Sequence, residues 1–287
     1  MALSTSTIFS QVKNYLYNSG LGEKPSIRQG TGTVTVSGDI VTFDLAAGQG
    51  GKIRAGHVLQ VYNPADDTAC YAFYVISVST DTLTCINGYE GSPTIANSAA
   101  TPSLLEHQPP VLDAAIFRFI DQIVDSYLYP DVYDVFTDSF TPNLVSGQTA
   151  ADADDMHIIR AWQSLGGIVY QIPCKVVHNM PTSLFATGKM LQYNVPYGAS
   201  VGYSAARKVS LTNSTNTALE DLIAKGAAAL ALESTEASTQ WESAKNDARE
   251  RQGSPSRQMW QAFMLSKQSF ANELAQETHT EFEIDRG

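Results

Sequence analysis

The densest cluster of potential ligands in this chain is Asp152-Ala153-Asp154-Asp155-Met156-His157, alternating carboxylates that end on an imidazole. Oxygen donors so spaced suit Ca²⁺, yet the glycine at the sixth position and the closing glutamate of an EF-hand loop are missing. An acidic helix start is the simpler reading, since aspartate favours the first helical turn and Ile158-Ile159-Arg160-Ala161-Trp162 follows. His57, His107, His178 and His279 stand singly, with no second ligand at a metal spacing. Cys70, Cys85 and Cys174 form no metal motif and, being three, cannot all pair; small buried hydrophobes account for them best.

Nucleophilic and phosphate chemistry fare no better. Gly30-Thr31-Gly32 and Gly48-Gln49-Gly50-Gly51 lack the Gly-Lys-Ser/Thr ending of a phosphate loop, and hairpin turns explain them. No Gly-x-Ser-x-Gly elbow is present, and carboxylate pairs such as Asp66-Asp67 are unspecific in an acidic chain. The expectation is a protein that is not an enzyme, with no catalytic residue, no metal site and no cofactor.

Composition narrows the class. A net charge of −11 over 287 residues, without a Lys/Arg cluster, argues against a surface that wraps nucleic acid. It is compatible with a channel wall past which DNA slides. A hydrophobic content of 43% is that of a folded protein. No apolar run approaches the ~18 residues of a membrane span, and Met-Ala-Leu-Ser-Thr-Ser-Thr opens without a basic or apolar leader segment. No membrane association and folding in a cytoplasm are therefore expected.

The elements that must carry the chemistry are legible in the periodicities. Ile8, Val12, Tyr15 and Leu16 share one stripe of a helix over Thr5–Asn18. Short β-branched and aromatic runs at Asp39–Leu45, His57–Tyr62, Cys70–Val78 and Thr82–Ile86 predict strands separated by turns. Asn97 to Pro110 reads as a Pro-rich linker. Ile116, Phe119, Ile120, Ile123 and Tyr127 predict a helix over Val111–Tyr129, stopped by Pro130. Asp131–Asp155 reads as a loop or irregular strand, and 162–211 as β-rich, with strands near Gly167–Ile172, Cys174–Val177 and Met190–Val195.

The last third is helical in pattern. Leu219, Leu222, Ile223, Ala227 and Leu230 stripe an Ala-rich helix that continues in polar sequence to about Arg251. Gly253-Ser254-Pro255 then breaks the chain and a final helix runs from Ser256 to about Thr278. It places Met259, Trp260, Phe263, Met264, Phe270 and Leu274 on one side. Phe282 and Ile284 alternate with charges and would suit a strand added to another subunit's sheet.

The exit from the first β-module, Leu83-Thr84-Cys85-Ile86-Asn87-Gly88-Tyr89-Glu90-Gly91-Ser92, resembles a pattern of tailed-bacteriophage virion proteins, Leu-Thr-Val-x-Arg-Gly-x-x-Gly-Thr. Asn87 stands where arginine is usual and Ser92 where threonine is usual. The segment Ala218-Leu219-Glu220-Asp221-Leu222-Ile223-Ala224-Lys225-Gly226-Ala227-Ala228-Ala229-Leu230 is similar to a helix of phage head-to-tail connector (adaptor) proteins.

That resemblance implies an α+β chain with a helical adaptor-like body, one or two small antiparallel β-modules and a long C-terminal helical extension. The divisions expected are an N-terminal helix (1–26), a β-module (27–100), a helix with a second β-rich region (101–217), and a helical body with a partner-binding tail (218–287). It further implies a structural virion protein, assembled in the host cytoplasm, forming a homo-oligomeric ring, typically twelvefold, around the DNA exit channel. Its partners would be copies of itself, the portal protein and the next neck or tail protein, with DNA only passing through. Subunit packing would fall to Leu219, Leu222, Ile223, Ala227 and Leu230, and portal contact to Trp260, Phe263, Phe270, Phe282 and Ile284. The alternative is a tail or capsid-surface protein whose β-modules bind a receptor or glycan, suggested by Tyr62, Tyr71, Phe73, Tyr74 and Tyr89.

Overall fold

The computed structural model describes residues 3–19, 25–143, 146–195, 198–243 and 254–284, with the side chains of 236–243 and 276–284 outside that description. The chain divides into two compact units. One takes Ser4–Ile123 and Thr217–Met264; the other takes Met1–Leu3, Val124–Asn216 and Leu265–Gly287.

The first unit is built on a closed six-stranded barrel of β1 (Ser26–Ser37), β2 (Ile40–Leu45), β3 (Val58–Val61), β4 (Ala72–Ser79), β5 (Thr82–Asn87) and β6 (Leu104–His107). Strand order around it is β1-β2-β5-β4-β3-β6, with every pairing antiparallel. Alternation makes the interior: Val41, Phe43 and Leu45 point inward from β2 while Thr42 and Asp44 do not, and Leu83 and Cys85 do the same from β5. Two-residue turns join the hairpins, Gly38-Asp39 between β1 and β2 and Thr80-Asp81 between β4 and β5. Gly38 and Thr80 take positive φ there.

The exit of β5 is locked by a side chain. Asn87, buried, donates from Nδ2 to the Ile95 carbonyl at 3.0 Å and accepts the Ile95 N–H on Oδ1 at 3.0 Å. The carboxamide thereby stands in for a strand neighbour, and the tight loop between is turned by Gly88 at φ 70°. This is the position at which the virion pattern carries arginine.

The segment read as a linker over 97–110 contains β6, which pairs with both β1 and β3 and closes the barrel. Its Leu-Leu-Glu-His sequence hides the strand because Glu106, a residue expected at the surface, is buried. Outside the barrel, α1 (Thr5–Asn18) and α2 (Asp113–Gln122) both pack on α3 (Ala218–Ser243). The helix expected over Val111–Tyr129 is α-helical only to Gln122 and continues as a π-helical turn over Ile123–Tyr127. A fourth helix, α4, runs Pro255–Ile284 and includes the residues expected to form an added strand at 282–284.

Among the described residues the second unit holds seven strands. β7 (Asp134–Phe140), β9 (Asp155–Leu165), β10 (Ile168–Gln171) and β13 (Val201–Arg207) form a sheet in the order β10-β9-β13-β7. β8 (Gln148–Ala150), β11 (Cys174–Val177) and β12 (Met190–Tyr193) form a smaller one, β11-β12-β8. Leu191 and Tyr193 from the small sheet meet Ala161, Val201 and Tyr203 from the large one in a common core. Gly202 is required where it lies: a Cβ there would come within 2.6 Å of the Trp162 ring on the paired strand.

These findings correct the expected fold. The described residues are mostly β, a closed barrel and two further sheets, with four α-helices; they are not a helical body carrying small β-modules. The physical reason lies in three stretches. Glu106 masked β6. Aspartates masked the regular strand β7 in a region read as a loop or irregular strand. Asp152–His157, expected to open a helix, instead leads into β9. There the β-branched pair Ile158-Ile159 favours the pleat, and cross-strand partners on β13 outweigh the preference of aspartate for a first helical turn.

Replacing Asn87 with alanine would strand a buried N–H and carbonyl at Ile95 and should lower stability by about 1–3 kcal/mol. Urea unfolding of the full chain, followed by tyrosine fluorescence, measures this; an unchanged midpoint would refute the role given to the carboxamide.

Candidate functional site

The clusters that could do chemistry are engaged within the chain. In the second unit, Arg207 donates from Nε to Asp155 Oδ1 at 2.7 Å and from Nη2 to Asp152 Oδ2 at 2.6 Å. Tyr203 donates its hydroxyl to the other Asp155 oxygen at 3.2 Å, and Lys189 Nζ bonds the Asp155 and Ala153 carbonyls. The Arg207 guanidinium also lies over the Phe136 ring, 3.5 Å from its centroid. Asp155 is fully buried, so the most metal-like sequence in the chain serves as the counter-charge of an arginine. His157 meets Tyr133 edge-on, and His178 bonds the Met156 carbonyl at 2.8 Å. Among the described residues, no group of three or more His, Cys, Asp or Glu is placed to hold a metal ion.

The cysteines are free: Cys70 and Cys85 buried, Cys174 half-buried. Burial holds their thiols far above the ordinary range, at about 11, 12 and 11 respectively, so none is a ready thiolate.

In the first unit, a buried charge cluster ties helices to barrel. Lys13 on α1 approaches Glu106 Oε1 on β6 at 2.7 Å and Asp113 Oδ1, at the start of α2, at 3.1 Å. Gln60 on β3 donates from Nε2 to Glu106 Oε2 at 2.7 Å and to Asp113 Oδ1 at 2.9 Å, and accepts the Asp113 N–H at 2.9 Å. The Lys13 ammonium also sits 5.3 Å from the centroid of Phe9, which stacks on Phe117. One buried cation thus faces two buried carboxylates. Burial, with the neighbouring charge of Glu106 adding to it, pushes Asp113 up to about 7 against the opposing pull of Lys13 and Gln60. The four side chains are almost wholly buried and offer no approach to a substrate. What they do is fix two helices against two strands.

A histidine pair sits at the other end of the same strand pairing. His57 Nδ1 accepts from the Arg54 N–H, which makes His107 Nε2 the donor to it at 2.8 Å. His107 Nδ1 then accepts from Ser26 and Arg28. Burial first, then the charges of Arg28 and His57, depress His107 to about 4. The two histidines are fifty residues apart and meet because Leu59 pairs with His107 across β3 and β6. Nothing in their spacing announced it.

The residues expected to pack subunits are spent inside the chain. Leu219, Leu222, Ile223 and Ala227 are buried and Leu230 is half-buried on a helix that packs against α1 and α2 of the same unit. At Gly226 a Cβ would stand 2.8 Å from Ile123 and 2.9 Å from Phe263, so the small residues of α3 admit this chain's own neighbours. That stripe is covered by this chain's own residues. Among the residues assigned to the portal, Phe263 is fully buried; Trp260 is half-buried and donates its indole N–H to Glu233 at 3.0 Å; Phe270 is half-buried. The side chains of Phe282 and Ile284 lie outside the described residues.

The exposed apolar positions are others. Met264 and Leu265 on α4 stand 54% and 69% exposed, one and two positions beyond the buried Phe263. Ile168 and Val169 on β10 are 59% and 56% exposed. The helical stripe placed Met264 with Phe263; a register offset of one residue sends it outward.

No protein-family model matches this chain, and no curated protein does. Among solved structures, a di-domain ARO/CYC protein of the steffimycin biosynthetic pathway is aligned at 12% identity over 96% of this chain and 97% of that chain. The TM-score is 0.09, too low to carry any argument about fold or activity.

Two outcomes follow for stability. Lys13→Met would leave two carboxylates buried without a cation and should cost about 3–5 kcal/mol, read from urea unfolding at neutral pH. The pH dependence has two opposing parts. Asp113 is raised on folding, so its contribution is full below its ordinary 3.8 and is lost as pH rises through about 7. His107 is depressed on folding, so its contribution is full above its ordinary 6.5 and is lost as pH falls towards about 4. Asp113→Asn should therefore improve relative stability towards pH 7, and His107→Gln should flatten the loss between about pH 6.5 and 4. Thermal midpoints across that range test both, and parallel curves for variants and parent would contradict the assignments.

Proposed function

We propose that this chain is a structural virion protein of a tailed bacteriophage, an adaptor subunit that docks on the portal and connects capsid to tail. It works without catalysis or cofactor, as one of a ring of copies, twelve being the expected number, around the channel through which DNA leaves. The observation that carries the reading is on α4, within the segment assigned to the portal. Consecutive side chains Met264 and Leu265 point to solvent from a helix whose Phe263 is wholly buried. A helix held by one face and apolar on another is a docking element.

The β5 exit adds support. Leu83, shared with the virion pattern, fills the barrel core, and the shared Gly88 and Gly91 take positive φ and shape the exit turn. The net charge of −11 suits a wall past which DNA moves without sticking. The mostly β body departs from the helical one the resemblance implied, so the reading rests on surfaces and the exit motif.

A second reading, a tail or capsid-surface protein that binds a receptor glycan, is favoured by one feature. Tyr74 and Tyr89 stack at 5.1 Å, both half-buried, on the outer side of a strand whose Phe73 and Val75 fill the barrel. Glycan-array binding lost on Tyr74→Ala would select it.

Deleting α4 would remove Phe263 from the core, so point variants are the cleaner test. Met264→Asp and Leu265→Asp should change protomer stability by no more than about 0.5 kcal/mol, as exposed substitutions do. They should abolish co-sedimentation with portal rings. Retained portal binding in the double variant, or imaging of virions that places the protein away from the neck, would overturn the proposal.

A further inference from the structure

We propose that copies of this chain join edge to edge through the four-stranded sheet of the second unit, the free side of β7 in one protomer pairing antiparallel with the free side of β10 in the next. The inference rests on the reading of the chain as a ring subunit and says which surface makes the ring.

Among the described residues, β10 is hydrogen-bonded only to β9, and β7 only to β13. Each therefore presents one row of backbone N–H and carbonyl groups without a strand partner. Edges of that kind template pairing with another chain, and charged side chains (lysine above all), proline, bulges or very short strands blunt them. β7 has no lysine, proline or bulge, and of its two charges Asp134 is engaged by Ser214 within the chain, leaving Asp138; its seven residues pair with β13 without a shift in register. β10, Ile168-Val169-Tyr170-Gln171, is likewise free of lysine and proline, and all four residues are exposed. Val135 and Phe136 on β7 are exposed too, so apolar side chains flank both edges.

Strand direction says what fits there. Every neighbouring pair in the sheet is antiparallel, and the sheet has four strands, so its two edge strands run in opposite directions. A second copy in the same orientation brings its β10 beside β7 antiparallel, continuing the alternation without a fault. Charge agrees. β7 contributes Asp134 and Asp138 and no base, and β10 carries no charge, so no like charges oppose the pairing. Because two different edges meet, the contact is heterologous, the type that closes into a ring when the rotation allows. A pairing limited by the four residues of β10 is weak singly and gains by closure, which suits a subunit that assembles on a template.

The test uses the full chain, by native mass spectrometry and sedimentation velocity, with and without portal rings. Val135→Lys blunts β7, Ile168→Lys blunts β10, and Leu184→Lys changes an exposed apolar residue of the same unit that lies outside both edge strands. The parent and Leu184→Lys should form rings. Each edge variant should keep the parent's circular dichroism and thermal midpoint yet require about ten-fold more protein, or more, to assemble. Rings persisting in either edge variant would overturn the edge inference and leave the ring reading standing, as would loss of rings in Leu184→Lys. A parent that remains a protomer even on portal rings would overturn both.

Discussion

The first unit depends on one buried ammonium group. Lys13 is, among the described residues, the one cation in a cluster with two carboxylates, and the residues it gathers come from α1, β6 and α2, with Gln60 of β3 bridging the carboxylates. A charge brought out of water in this way adds little stability compared with an apolar replacement of the whole cluster. It does restrict arrangement. A helix laid on a barrel by hydrophobic contact alone can slide; one whose lysine must meet Glu106 and Asp113 together has one seat. The aromatic stack of Phe9 on Phe117 is set by the same seat. Specificity of packing, more than stability, is what the cluster provides.

Much of this was readable from periodicity. Helix α1 begins and ends where its stripe and its serine cap place it, with Thr7 donating to Ser4 Oγ at 3.2 Å. The strands of the barrel from β2 to β5 lie where alternating β-branched residues place them. What failed to register were elements whose sequences contradict their environment. Glu106 and Asp113 are acidic residues in a dry interior, stabilised by a lysine about a hundred positions away, and no local pattern encodes such a pair. β7 is rich in aspartate and largely exposed, because it is an edge; the alternation that marks a half-buried strand is absent there.

The surfaces were legible in outline and misplaced in detail. Alanines on α3 marked close approach correctly in kind, but the partners are helices of the same chain, because Gly226 and its neighbours face Ile123 and Phe263. A stripe says that a helix face is covered and is silent on whose atoms cover it. Conversely, Leu265 and Ile168 could be recognised as outward only once Phe263 and Trp162 had been placed. Asn87 is the instructive case of a departure from a pattern. Its carboxamide supplies both a donor and an acceptor to Ile95, a geometry no guanidinium can satisfy, since arginine has no acceptor.

The barrel unit is discontinuous in sequence. Its strands and first two helices are complete by Ile123, yet α3, which covers α1 and α2, comes from beyond Asn216. During synthesis at roughly 5–20 residues per second, the intervening Val124–Asn216 takes roughly 5–20 s to emerge. Throughout that interval the apolar faces of α1 and α2 await the alanine-rich helix. The strands of the second unit are made while the first is still open. A chain arranged in this way is exposed to aggregation early in synthesis, and its yield should be governed by how quickly α3 arrives.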